Sequence, residues 1–222
     1  MAWRGPSGWA VAGKEDSRHG LAMRLYDYLP SGNSYKVRWV MARLGLDYQH
    51  VDVDIHAGDT QTEAFLALNP AGQIPALVLD DGRTLAESNA IIRYLADGSA
   101  LVPGDPFDHA KMLQWQFWEQ YRHEPAIAVA RFIRHYAMDS RADELGGLML
   151  RGNAALRVMD GHLAGRDWFV GAGCTLADVS LYAYTHVAGE GGFDLAAFPN
   201  VEGWLERFAA QPGHIPIDRA PV

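Results

Sequence analysis

The apolar residues of this chain change their period once, across the segment ADGSALVPGDP at 96–106. Before it, short alternating runs trade with helical stripes; after it, every patterned segment is helical. A chain written that way folds as a small sheet-and-helix unit followed by a helical bundle. In the first part, Arg24 to Tyr28 is a β-rich run ended by Pro30 and Gly32. Val37, Val40, Met41 and Leu44 then recur at helical spacing, and Gly45 supplies a C-cap. Tyr48 to Ile55 alternates, with Val51, Val53 and Ile55 on one face and Asp52, Asp54 and His56 on the other. A second helix carries Phe65, Leu66 and Leu68 and stops before Asn69-Pro70. Ala76 to Leu79 and the run from Thr84 read as strands joined at Asp81-Gly82, and Ser88 caps a helix with Ile91, Ile92 and Leu95. The predicted order is β-α-β-α-β-β-α in about 75 residues.

Beyond a linker at 98–105, Phe107 to Arg122 is aromatic-rich, and Pro125 is expected to kink or end that helix. Ala126 to Tyr136 continues as helix. Leu145, Leu148, Met149, Leu156, Met159 and Leu163 form a long amphipathic stripe, and Val201, Leu205 and Phe208 mark the last helix. Thr175-Leu176-Ala177-Asp178 is a variant capping box with Asp in place of Glu or Gln. Residues 1–22 mix Gly, Pro and charge without a period, so a flexible extension is expected there, with 23–97 as the first domain and 106–222 as the second. Their only apolar run, Ala10 to Ala12, is too short for a secretory signal.

Composition narrows the function. A formal charge of −8 repels phosphate backbones and anionic lipid, so no nucleic-acid or membrane partner is expected. The single cysteine, Cys174, excludes an internal disulfide framework and a cysteine-cluster zinc site, and it fits a reducing, cytoplasmic setting. No His-Glu-x-x-His pattern exists among nine histidines. The Asp52/Asp54/His56 row reads as the solvated face of a strand, so no metal is expected.

Three places can hold chemistry. Ser31-Gly32-Asn33-Ser34 joins the first strand to the first helix, and a helix N-terminus with two hydroxyls and a carboxamide favours a bound anion. Gln73-Ile74-Pro75 opens a strand, where a cis bond would turn the Ile74 backbone toward a ligand. Glu87-Ser88 sets a carboxylate beside the freed amides of another helix, which suits a zwitterion. Each has a plainer reading as ordinary capping or strand opening.

Their order and spacing change the balance. The runs YDYLPSGNSYKVR, FLALNPAGQIPAL, TLAESNAIIRYL and CTLADVSLY resemble the glutathione transferase superfamily from Met23 to Trp204. The resemblance implies a thioredoxin-like α/β domain followed by the superfamily's all-α domain. It implies that Ile74, before a cis Pro75, pairs its backbone with the cysteinyl part of glutathione. Glu87 and Ser88 would hold the γ-glutamyl end, with further contacts from Ser34, Thr60 and Gln73. Theta-, zeta- and delta-like classes use a serine in this loop, matching Ser31. Bacterial nu-like members use Thr and Asn two residues apart, matching Ser31 with Asn33. Tyr28 is the alternative thiol activator, in the manner of the tyrosine classes. Tyr35, Trp118 and Tyr121 are expected in the second-substrate pocket, and Thr175 and Asp178 in a structural cap.

The implied activity is transfer of glutathione, as co-substrate, to a small electrophile in a homodimer. The alternatives are glutathione-dependent disulfide or peroxide reduction, and a non-catalytic protein-binding module.

Overall fold

A computed structural model describes residues 23–219; the expected N-terminal extension lies outside them. The first unit contains β1 (Arg24–Asp27), α1 (Gly32–Leu44), β2 (Gln49–Asp52), α2 (Glu63–Leu68), β3 (Ala76–Val78), β4 (Thr84–Ala86) and α3 (Ser88–Leu95). The sheet order is β2-β1-β3-β4, with β1 parallel to β2 and the other pairs antiparallel. The order of elements along the chain, β-α-β-α-β-β-α, is the predicted one, and the sheet has the thioredoxin-like arrangement. Strand alternation divides the sheet into two faces. Leu25 and its cross-strand partner Leu77 face Val37, Val40, Ile91 and Ile92 from the two long helices. Tyr26 and its partner Ala76 face a smaller cluster with Val53 and Phe65.

The strand expected over Tyr48 to Ile55 is shorter. β1 offers four residues to pair, and Asp54 then turns the chain, its carboxylate accepting the N–H groups of His56 and Ala57 at 2.8 and 3.0 Å. The side chains of Asp54 and His56 therefore belong to a turn, not to a strand face.

The second unit holds α4 (Pro106–Trp118), α5 (Glu124–Phe132), α6 (Met138–Arg141), α7 (Leu145–Leu163), α8 (Leu176–Thr185) and α9 (Pro199–Ala209). Pro125 does not end the helix. The chain passes from α4 to α5 through a π turn at Glu119–His123, which places Pro125 in the first turn of α5, where a missing N–H matters least. A second π turn at Ile133–Ala137 leads into α6. The Asp178 carboxylate accepts from Thr175 N–H and Oγ1, Phe169 N–H and Trp204 Nε1, all within 3.0 Å, so the predicted cap also ties α8 to α9.

Three of the contacts between the units set how closely they pack. A Cβ on Gly32 would stand 2.6 Å from the Tyr184 ring, so only glycine lets the start of α1 meet α8 this closely. Leu101 of the linker is buried, and its C=O accepts the Leu176 N–H at 3.0 Å. Residues 211–219, expected within the helical domain, return across α1: the Tyr35 hydroxyl donates to Ile215 C=O and Arg38 to Ile217 C=O, each at 2.8 Å.

Candidate active site

A cleft of about 490 Å³ lies where α1, the β3 entrance and α3 face the α4–α5 turn. Ser31 is the N-cap of α1, accepting the Ser34 N–H at 3.3 Å, which leaves its hydroxyl hydrogen to donate. The Asn33 N–H donates to the Tyr184 hydroxyl at 3.3 Å. Asn33 Oδ1 accepts from Lys36 Nζ at 2.9 Å and from Ser88 Oγ at 3.2 Å. With the oxygen so occupied, the Asn33 amide nitrogen is the end turned to the cleft, where one of its two hydrogens is directed at the Glu124 carboxylate.

Behind Asn33, Lys36 and Glu119 form a fully buried ion pair at 3.0 Å. Gln120 Nε2 and Asn89 Nδ2 also donate to that carboxylate, at 2.8 and 3.3 Å. This network fixes the position of Asn33. Truncating Lys36 or Glu119 would strand the other's buried charge, which typically costs about 3–5 kcal/mol.

Ile74–Pro75 is cis and lines the cleft with Thr60 and Gln73. Among the described residues, neither the N–H nor the C=O of Ile74 is paired within the chain, whereas Ala76 next along pairs with β1 and β4. An exposed backbone pair of this kind can receive an extended peptide. Glu87 has φ +66°, an uncommon region for a residue with a Cβ, and occupies the cap position of α3. Ser88 was expected as that cap. It is instead the first helical residue, and its hydroxyl serves Asn33. Strain of this kind costs about 1–3 kcal/mol and persists where the surroundings enforce it.

Ser31, Asn33, Thr60, Gln73, Ile74, Pro75, Glu87 and Ser88 therefore meet in one cleft. Ser34 does not join them: it is fully buried in the first turn of α1, and its Oγ has no partner among the described residues. Tyr35 is also removed from the cleft, since its side chain is buried and its hydroxyl is held by Ile215. Trp118 and Tyr121 line a different groove of about 320 Å³, with Arg151 and Val158 of α7.

The reason is helical phase. From the α4–α5 region, Gln120, Glu124, Ala128, Phe132 and Tyr136, four residues apart, face the cleft and its extension, and Arg131 joins them beside Phe132. Trp118 and Tyr121 are off that stripe. A smaller pocket of about 120 Å³ continues the cleft, lined by Tyr28, Ile55, Ala128, Phe132 and Tyr136 beside Ser31. His56 packs against its aromatic wall, its ring 4.6 Å from that of Tyr136 and 6.3 Å from that of Phe132. Along the stripe the lining passes from polar at Gln120 to aromatic at Tyr136.

The ionisation of the site follows its burial. Burial pushes the Tyr28 phenol up to about 12, reinforced by the Tyr136 hydroxyl 3.3 Å away, so Tyr28 is an aromatic wall with its polar end occupied. Burial also raises the Tyr184 phenol, whose hydroxyl faces the Ser31 side chain. The Cys174 thiol is pushed up by burial and lies in none of the cleft walls. Lys36, Glu119, Glu124 and Tyr184 were not anticipated from the sequence. The one visible sign was a lysine inside the apolar stripe of the first helix, three residues after Asn33.

Comparison with known proteins gives one result throughout. Residues 21–97 match the model "Glutathione S-transferase, N-terminal domain", and 131–212 match its C-terminal counterpart. A glutathione S-transferase crystal structure from Pseudomonas fluorescens superposes with a TM-score of 0.86 at 49% identity, over 88% of this chain and 98% of that one. Maleylacetoacetate isomerase of Pseudomonas aeruginosa is 33% identical over 86% of this chain and 92% of its own length. The disulfide-bond oxidoreductase YfcG of Escherichia coli is 27% identical over 83% and 89%.

Proposed function

The chain belongs to the glutathione S-transferase superfamily, and from that premise we propose that it binds glutathione in the cleft and activates the thiol for attack on a small electrophile. The observation that carries this reading is convergence. An anion-favouring helix start at Ser31 and Asn33, the unpaired Ile74 backbone, and Glu87-Ser88 reach one cavity from three separate segments. Together they match an anionic sulfur, an extended cysteinyl backbone and a γ-glutamyl zwitterion.

A free thiol has a pKa of about 8.5, so little is thiolate at neutral pH. Lowering it by about two units requires about 2.7 kcal/mol of preference for the charged form. One hydrogen bond to a charged acceptor supplies about 1.5–3 kcal/mol and a helix N-terminus about 0.3–1 kcal/mol. The Ser31 hydroxyl, the Asn33 amide and the start of α1 together are sufficient. The thiolate then attacks an acceptor in the adjoining pocket of Tyr28, Ile55, Phe132 and Tyr136, whose apolar walls suit a carbon-rich molecule. A cytoplasmic homodimer belongs to the same reading, by analogy with the superfamily.

Glutathione-dependent disulfide or peroxide reduction is the second reading. The Ser31/Asn33 spacing and the similarity to a disulfide-bond oxidoreductase favour it. Assaying the protein with glutathione and chlorodinitrobenzene, hydroxyethyl disulfide or cumene hydroperoxide decides between them. Conjugation is expected to lead. Turnover confined to the disulfide or peroxide would transfer the assignment to the second reading, and no binding of glutathione at all would end both.

A further inference from the structure

Glu124 has no role in thiolate stabilisation by Ser31 and Asn33, yet it faces the same point of the cleft. On the helical stripe it stands one turn after Gln120, which lines the cleft with Glu87 and Ser88, and one turn before Ala128, which lines the aromatic pocket. In the proposed complex that is the junction between tripeptide and acceptor, where the sulfur must lie. We propose that Glu124 accepts the proton of the glutathione thiol and returns it to the acceptor's leaving atom; this rests on the glutathione-binding reading above.

The charges around Glu124 make the exchange one-for-one. From α1 it meets the Asn33 carboxamide and, behind it, Lys36. From the π turn it meets Glu119, already paired with Lys36, and follows His123, which burial holds neutral by pushing its pKa down to about 3. From α8 it meets the neutral Tyr184 phenol, and Glu87 lies across the cleft. Lys36 is thus offset by Glu119, and Arg131, the cation lining the adjoining pocket, is offset by Glu190 at 2.6 Å. A thiolate and a Glu124 carboxylate would be uncompensated like charges, so together they keep one proton. Burial, with Glu119 next, already raises the Glu124 carboxyl.

The retained proton divides the acceptors into two chemical classes. In chloride displacement the C–S bond forms, the C–Cl bond breaks and chloride leaves as an anion, with no proton required. In hydroperoxide reduction the sulfur attacks the terminal oxygen, the O–O bond breaks, and the alkoxide takes the Glu124 proton to leave as an alcohol. Glutathione sulfenic acid remains, and a second glutathione converts it to glutathione disulfide and water. A disulfide acceptor likewise needs the proton for its departing thiolate. Glu124 therefore favours acceptors whose leaving atom must be protonated.

The first test uses the wild-type protein. Glutathione binding is followed by calorimetry in buffers of different ionisation heat, with thiolate ultraviolet absorbance recorded in parallel and S-methylglutathione as the ligand without a thiol proton. Near neutral pH the thiolate should appear while well under one proton per site reaches the buffer. Release of a full proton overturns the proposal and leaves the glutathione reading intact; no binding overturns both. In folded Glu124→Gln, proton release should rise toward one, and turnover on cumene hydroperoxide should fall about tenfold or more further than turnover on chlorodinitrobenzene, within the range for one general acid. Equal losses on both acceptors would overturn the proposal. So would a large loss of glutathione affinity with an unchanged proton count, which would make Glu124 a partner of the ligand's ammonium.

Discussion

Ser31 and Ser88 lie in the same cleft but hold opposite ends of the proposed tripeptide, and their alanine variants should fail differently. In the proposed complex Ser31 acts on the sulfur, most strongly when it is charged. Ser31→Ala should raise the apparent thiol pKa and reduce turnover below neutral pH by about ten- to a thousandfold, with glutathione affinity little changed. Ser88→Ala should mainly raise KM for glutathione, by about ten- to a hundredfold. A smaller loss in kcat should accompany it, because the Ser88 hydroxyl also holds Asn33 Oδ1. The pH–rate profile at saturating glutathione separates them. A Ser31→Ala profile matching wild type, with Asn33→Ala shifting it instead, would move the activator to Asn33. At this scale the sequence displayed what sits on loops and helix starts, because Ser, Asn and Gly declare such positions through capping chemistry. It did not display Glu124 or Tyr184. Their approach depends on helical phase across a π turn and on the missing Cβ at Gly32, and neither has a local pattern.

Elements were legible wherever one periodicity decided them. The succession of strands and helices, the α7 stripe and the cap before α8 all follow from apolar spacing and Ser/Thr/Asp placement. The errors fall where local backbone chemistry overrides the apolar pattern, as when the Asp54 carboxylate turns the chain or the π turn absorbs Pro125. The α8 cap is the clearest test of an element boundary. Asp178 is fully buried with four donors on it, so Asp178→Ala leaves three buried N–H groups unpaired. At about 1–3 kcal/mol per orphaned group, with partial relaxation, the loss should be about 3–5 kcal/mol by denaturant titration, well above an ordinary cap. The folded fraction should keep its pH–rate profile. Burial pushes the Asp178 carboxyl up to about 6, above its unfolded value of about 3.9. The native state then binds its proton more tightly, so this group's contribution to stability declines as pH rises from about 4 to about 6. The stability gap between wild type and Asp178→Asn should narrow over that interval. A gap that widens would show that the four donors outweigh burial.

For the whole molecule, the change of apolar period marks a boundary in the chain but not in the core. Leu25 and Leu77 of the sheet belong to one continuous apolar cluster with Leu156 of α7 and Phe208 of α9. The two units should therefore unfold in a single transition. The returning segment 211–219 extends this coupling in a way no periodicity displays, because it works through main-chain oxygens. Ile215 C=O receives the Tyr35 hydroxyl, Ile217 and Arg219 C=O receive the buried Arg38 guanidinium, and His214 Nδ1 receives Trp39 Nε1. All three anchors lie on α1, whose first turn carries Ser31 and Asn33 into the cleft. Deleting residues 211–222 would leave Arg38 with Asp27 and Leu29 C=O as partners and uncover Trp39. Losing about 3–5 kcal/mol of hydrogen bonding and burial should lower Tm by about 6–20 °C for a chain of this size. Glutathione affinity should fall as well, measured by calorimetry well below the new Tm, because α1 would hold its N-terminus less firmly against Tyr184. Unchanged stability and affinity would mean that α1 is positioned by the sheet and α8 alone. A lower Tm with unchanged affinity would confine the segment's role to stability.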